Sequence, residues 1–185
     1  EVKDAIDVLA GRTQGDLLEI SLLLGSHMLV LAEKAKTLPE ARAMLENALS
    51  SGAGLRKLAE MIAAQGGDPR VVEELSLLPQ AAVKRVMRAE TAGYLSAMDT
   101  TALGMAAQRM GAGRAKYSVG YVLHVRLGDE VTEDTPLATL YARNEAEAEE
   151  AEKAIRKALT IAKEKPQTPK LWDAIVTAEG IIYNR

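Results

Sequence analysis

Side chains able to do chemistry are sparse in this sequence. Its two histidines stand far apart, His27 within an apolar run and His124 alternating with Val122 and Arg126. No Ser, Cys or carboxylate stands at a spacing that would make a dyad with His27, so it reads as a packed imidazole rather than a base. The alternation about His124 predicts an outward ring on a strand, and two histidines are too few to suggest a histidine-built metal site. There is no cysteine, which removes zinc fingers, thiol nucleophiles and redox pairs and fits a reducing compartment such as the cytoplasm. Gly111-Ala112-Gly113-Arg114 can turn backbone amides and a guanidinium towards an anion. The same residues suit a helix stop, and no dinucleotide or Walker spacing surrounds them. The acids Glu145, Glu147, Glu149, Glu150 and Glu152 invite a glycosidase or metal reading, but helical spacing spreads them over a solvated surface.

The elements that must carry these residues can be read from periodicity. Val2, Ala5, Ile6, Leu9 and Ala10 share one helical face, which Gly11 ends. Asp16 is a candidate N-cap, with Glu19 three residues on, for a helix through Leu24, Met28 and Leu31 that is apolar on most sides, as a buried helix would be. Pro39 suits the first turn of the next helix, and Ser51 to Gly54 breaks it. A fourth helix runs from about Leu55 to the Gly66-Gly67 pair. From Ala82 the pattern changes to strands: Val83 to Ala89, Ala92 to Met98, Val119 to Val125 and Leu137 to Ala142, with a tight turn at Gly128-Asp129. A helix from Thr100 to Met110 intervenes, capped by Asp99 or Thr100. A last helix, capped by Asn144, is acidic at its start and basic later, at Lys153, Arg156, Lys157 and Lys163.

The expected fold class is therefore α+β or α/β: a helical front segment, residues 1–78, followed by a small mixed portion, residues 79–185. Ala92-Gly93-Tyr94-Leu95 and Val119-Gly120-Tyr121-Val122 look like two copies of one strand entry. The 185 residues, 48% hydrophobic and 26% charged, suffice for one sizeable core or two small ones. With no Phe and one Trp that core must be aliphatic, with Met28, Met44, Met61, Met87, Met98, Met105 and Met110 as gap-fillers. A net charge of −3 without a basic run argues against nucleic acid, and no apolar run approaches the roughly 20 residues of a membrane span. The chain starts at Glu1 in helical register, without Met or a cap, and reads as a piece of something longer.

Several segments resemble, in order, the C-terminal half of the thymidine and pyrimidine-nucleoside phosphorylases. They are Val2 to Ile6 (VKDAI), Asp16 to Met28 (DLLEISLLLGSHM), Ala63 to Pro69 (AAQGGDP), Ala92 to Met98 (AGYLSAM), Leu103 to Arg114 (LGMAAQRMGAGR) and Tyr117 to Val131 (YSVGYVLHVRLGDEV). Archaeal AMP phosphorylases are similar here, so the resemblance leaves the substrate open. It implies that the intact enzyme carries out reversible phosphorolysis of a pyrimidine nucleoside to free base and (deoxy)ribose 1-phosphate. The family's phosphate loop and its base-contacting Arg, Ser and Lys lie upstream, and no segment here matches them, so no catalytic residue is carried over and this chain alone is expected to be silent. The resemblance also implies a homodimeric intact enzyme, built through upstream helices, with phosphate, nucleoside and the N-terminal half of the same enzyme as partners.

One site position follows from the resemblance. The family's helix beginning Glu-Val-Lys-Glu gives a carboxylate to a potassium ion, and Asp4 stands at the matching place, one methylene shorter. The other reading of Asp4 is a first-turn acid that favours the helix dipole. Family members also carry additional polar residues between the counterparts of Lys116 and Tyr117. Two further readings stand beside this one. Val125 to Val131 and Pro136 to Leu140 look like the barrel-sandwich element of biotinyl and lipoyl carriers, although neither Met-Lys-Met nor Asp-Lys-Ala occurs. The competing class is a non-catalytic helical/β scaffold or interaction module.

Overall fold

The computed structural model describes residues 2–113, 118–177 and 179–184. The chain divides into two compact units, Glu1–Leu78 together with Leu171–Arg185, and Pro79–Lys170. Residues 171–185, which the sequence reading kept with the rear portion, are thus grouped with the first unit.

The first unit is built on helices α1 (Val2–Leu9), α2 (Asp16–Leu31), α3 (Leu38–Ser50) and α4 (Ala53–Ala64), followed by 3-10 turns over Pro69–Val72 and Leu75–Leu77. Gly11 ends α1 at φ 70°. Gly15, not Asp16, is the N-cap of α2, and Asp16 is its first helical residue. Thr37 caps α3 by accepting a bond from Glu40 N–H, with Pro39 in the first turn as expected. Gly52, at φ 70°, separates α3 from α4. The core is small: Ile6 of α1 packs with Val71 and Val72, and Leu55, Leu58 and Ile62 of α4 close over them. Strands β7 (Ala174–Thr177) and β8 (Gly180–Tyr183) form an antiparallel hairpin of two strands.

The second unit has a larger core. Strand β1 (Val83–Arg88) and strand β3 (Gly120–Leu123) flank β5 (Pro136–Ala142), both antiparallel to it, while β2 (Gly93–Met98) lies between β4 (Glu130–Val131) and β6 (Leu159–Ala162). Helices α5 (Thr100–Met110) and α6 (Glu145–Ala158) pack with these strands around Met87, Leu95, Leu103, Leu137, Leu140 and Ile155. The caps follow the sequence reading: Asp99 accepts from Ala102 N–H at 2.9 Å, Asn144 from Glu147 N–H at 2.9 Å, and Gly111 ends α5 at φ 96°. Tyr121 donates its hydroxyl to the Leu103 carbonyl at 2.8 Å, tying β3 to α5, and burial pushes its pKa up.

Two expectations are corrected. The final helix stops at Ala158, so Lys163 lies beyond it, and Leu159–Ala162 instead pairs with β2. Thr160 and Ile161 are β-branched and fit a pleated edge better than a helix end. The methionines are not uniformly core either: Met87 and Met110 are buried, whereas Met28, Met44, Met61 and Met105 are exposed.

Candidate functional site

An apolar concavity lies within the first unit. It is a groove of about 630 Å³ walled by α1, α2, α3 and the start of α4, and its lining is aliphatic apart from Asp4 and Ser21. Its apolar character follows from sequence: Leu17, Leu18 and Leu22 of α2 face Leu45, Ala48 and Leu49 of α3, while Gly54 lets α4 begin without a side chain in the way. Gly25, opposite Leu45, allows α2 and α3 to approach closely, since a Cβ there would sit 2.9 Å from Leu45 Cδ1. Asp4 is exposed in the first turn of α1, at the edge of this groove.

Behind Asp4, α1 holds a carboxylate that sequence reasoning missed. Asp7 is buried and is bonded by Lys3 and by Arg12, whose Nη1 lies 3.1 Å from Oδ1. Arg12 also reaches the Val72 carbonyl at 3.5 Å, so one guanidinium links α1 to the turn that seals the core. The signal available was the i, i+4 pair of Lys3 and Asp7, which surface helices also show.

The other singled-out residues fall into structural roles. His27 is half-buried, with its Nε2 enclosed and without a hydrogen-bond partner among the described residues. His124 is exposed as the alternation predicts, and its Nε2 lies 2.7 Å from Thr139 Oγ1. Most acids of α6 have a basic neighbour: Glu147 with Arg143, Glu149 with Lys153 at 2.7 Å, and Glu152 with Arg156 at 2.9 Å and Arg85 at 2.8 Å, with Glu145 3.7 Å from Arg85. Gly111 and Gly113 both take left-handed backbone at the end of α5, and Arg114 lies outside the described residues, as do Lys116 and Tyr117. Among the described residues, no three His, Asp or Glu side chains gather as a metal would require. Asp4 is not part of such a cluster.

The Gly66-Gly67-Asp68-Pro69 segment is likewise a connector. Gly66 adopts φ 81°, and a Cβ on Gly67 would meet Ile62 Cγ2 at 2.8 Å. Asp68 then caps the following turn through Arg70 N–H at 3.0 Å and grips the Arg70 side chain at 2.6 Å. That guanidinium holds the Asp68 carboxyl down at about 2, below its ordinary 3.8. With the folded pKa depressed, its contribution to folding is present above the ordinary value and is lost as pH falls through about 2. An NMR titration should place the Asp68 midpoint near 2, and Arg70→Ala should raise it towards the ordinary carboxylate range, short of it because the residue-70 N–H bond remains.

Comparison with known proteins decides what this scaffold belongs to. Residues 94–162, from β2 through α5 to β6, match the pyrimidine nucleoside phosphorylase C-terminal domain. The chain is also 42% identical over 183 residues to the pyrimidine-nucleoside phosphorylase of Bacillus subtilis, which covers 96% of this chain. The chain corresponds to the C-terminal part of the pyrimidine-nucleoside phosphorylases. It is 45% identical over 151 residues to the enzyme of that name from Geobacillus stearothermophilus, covering 78% of this chain and 35% of the relative. With the Staphylococcus aureus enzyme it shares 38% identity over 183 residues. The chain spans 42% of the length of the Bacillus subtilis and Staphylococcus aureus phosphorylases. No helix among the described residues is long and apolar enough to cross a membrane.

Proposed function

We propose that this chain serves as the C-terminal part of a pyrimidine-nucleoside phosphorylase, a pentosyl-transferring enzyme of nucleoside salvage. In that reaction an oxygen of inorganic phosphate attacks the anomeric carbon of the nucleoside. The carbon–nitrogen bond breaks towards the pyrimidine, which leaves with the electron pair, and the sugar keeps the phosphate as (deoxy)ribose 1-phosphate. The observation that carries this reading is the 42% identity sustained over 183 residues, across both compact units.

The chain's share of the work is mechanical. Among the described residues, Asp68 with Arg70, Asp7 with Arg12 and Glu149 with Lys153 are engaged in caps and ion pairs rather than convergent on a reacting atom. The groups that grip phosphate and polarise the leaving base belong to the upstream half of the same enzyme, and the part seen here supplies rigidity behind them. The intact enzyme is a homodimer working in the cytoplasm, a setting that a cysteine-free sequence suits. Where that enzyme holds potassium, Asp4 gives one carboxylate oxygen and oxygens of the upstream half give the rest.

The test is assembly. Joined behind the upstream part of the Bacillus subtilis relative, this chain should restore phosphate-dependent release of uracil from uridine or thymine from thymidine. A soluble, folded fusion that releases neither would remove the proposal.

A further inference from the structure

The chain has no cysteine, so the thioethers of its seven methionines are its only oxidisable sulfur. Exposure divides them within the second unit: Met87 and Met110 are 0% and 4% exposed, whereas Met105 of α5 is 45% exposed. Leu103, Ala106 and Met110 form the buried side of α5. Met105 lies on the opposite side, next to Gly104, where an added Cβ would meet nothing within 4 Å. Met105 also has a neighbour that the other exposed methionines lack. Arg109 follows it by four residues, which stacks the two side chains on one face of the helix with Cβ atoms about 5–6 Å apart. The exposed Arg109 borders a crevice between α5 and α6, yet makes no ion pair among the described residues. Four residues either side of Met28 and Met44 stand Leu24, Ala32, Glu40 and Ala48. Met61 has Lys57 and Gln65, and Lys57 is already paired with Glu60.

We propose that Met105 is a reversible oxidation site for hydrogen peroxide, with Arg109 holding the oxidised form. A lone pair of the Met105 sulfur attacks one peroxide oxygen and the O–O bond breaks. The proton on the transferred oxygen passes to the departing hydroxide, which leaves as water, and the thioether becomes a sulfoxide. A thioether is a weak hydrogen-bond acceptor, whereas the sulfoxide oxygen carries partial negative charge, so an Arg109 N–H donates to it. The product thus gains a partner at the surface of α5. A sulfoxide at Met87 or Met110 would instead bring a polar oxygen into the aliphatic core. Two thiols of a methionine sulfoxide reductase remove the oxygen again as water, restoring the thioether and forming a disulfide on the reductase. This site is independent of the proposed phosphorolysis.

The test treats the full chain with hydrogen peroxide and follows each methionine by peptide mass spectrometry. Met105 should gain one oxygen roughly tenfold or more faster than Met87 and Met110, whose sulfurs are reached only when the unit opens. Methionine sulfoxide reductases should then remove that oxygen. To isolate its effect on the fold, Met28, Met44 and Met61 are replaced by leucine, and denaturant midpoints are measured before and after oxidation. The midpoint should hold on oxidation of Met105, and should fall on oxidation once Arg109→Ala is added. Equal oxidation rates at Met105 and at the buried Met87 and Met110 would overturn the proposal, as would a Met105 sulfoxide that the reductases leave in place. An Arg109→Ala chain as stable oxidised as reduced would overturn the part assigned to Arg109.

Discussion

Replacing Gly93 by alanine is expected to cost the chain about 3 kcal/mol or more, adding backbone strain to a steric clash. Gly93 opens β2 at φ 154°, a conformation that side-chain-bearing residues rarely adopt. A Cβ there would also lie 2.5 Å from the Ala162 carbonyl oxygen and 2.9 Å from Ile161 Cγ2, both on β6. Those are a backbone and a branched side chain held in the β2–β6 pairing, so neither can step aside cheaply. Gly120 opens β3 at φ 147° with nothing within 4 Å, so Gly120→Ala carries only the backbone strain, about 1 kcal/mol. Denaturant midpoints of the two variants against the parent measure the difference. Equal losses would mean that the β2–β6 approach is not what Gly93 protects.

The second large effect is expected at Leu140. This residue is fully buried at the centre of β5, opposite Arg85 on β1 and Tyr121 on β3. Leu140→Ala removes three carbons from the core shared by both three-stranded sheets and the two helices, a loss of about 2–5 kcal/mol depending on how far the walls relax. Set against the roughly 5–15 kcal/mol that hold a typical domain together, that is a large fraction of its stability. The loss should appear in thermal or denaturant unfolding. A cost below about 1 kcal/mol would show a core loose enough to refill the space.

Local signals in the sequence carried as far as local physics does. Asp99, Asn144 and Gly111 mark helix ends because a side-chain oxygen or a missing Cβ acts within a few residues of itself. The paired glycine-led strand entries were legible for the same reason, although they open strands of different sheets. What local pattern could not show was the partner. Leu159–Ala162 continues a helical spacing and is nonetheless a strand, since its energy comes from pairing with β2, more than sixty residues away. The apolar run of α2 implies burial against something, and periodicity does not say that the something lies in the same unit; Met28 and Leu31 are exposed in consequence. Asp7 was overlooked because its burial depends on Arg12 and on the turn at Val72, which no helical wheel contains.

At the site, the informative feature of the sequence was what failed to converge. Two distant histidines, no thiol and acids spread around α6 gave no reaction centre, and the structure pairs Glu147, Glu149 and Glu152 with neighbouring bases. Family likeness, rather than chemistry in the chain, supplied the activity to look for.

We propose that this polypeptide buttresses a cleft whose reactive groups reside in the upstream part of the enzyme. The most direct measurement is to incubate the purified chain alone with uridine or thymidine and inorganic phosphate and follow free base by its ultraviolet absorbance. The expected result is no release above the buffer rate, with release appearing once the upstream part is supplied. Sustained, phosphate-dependent liberation of uracil or thymine by the chain on its own would contradict it.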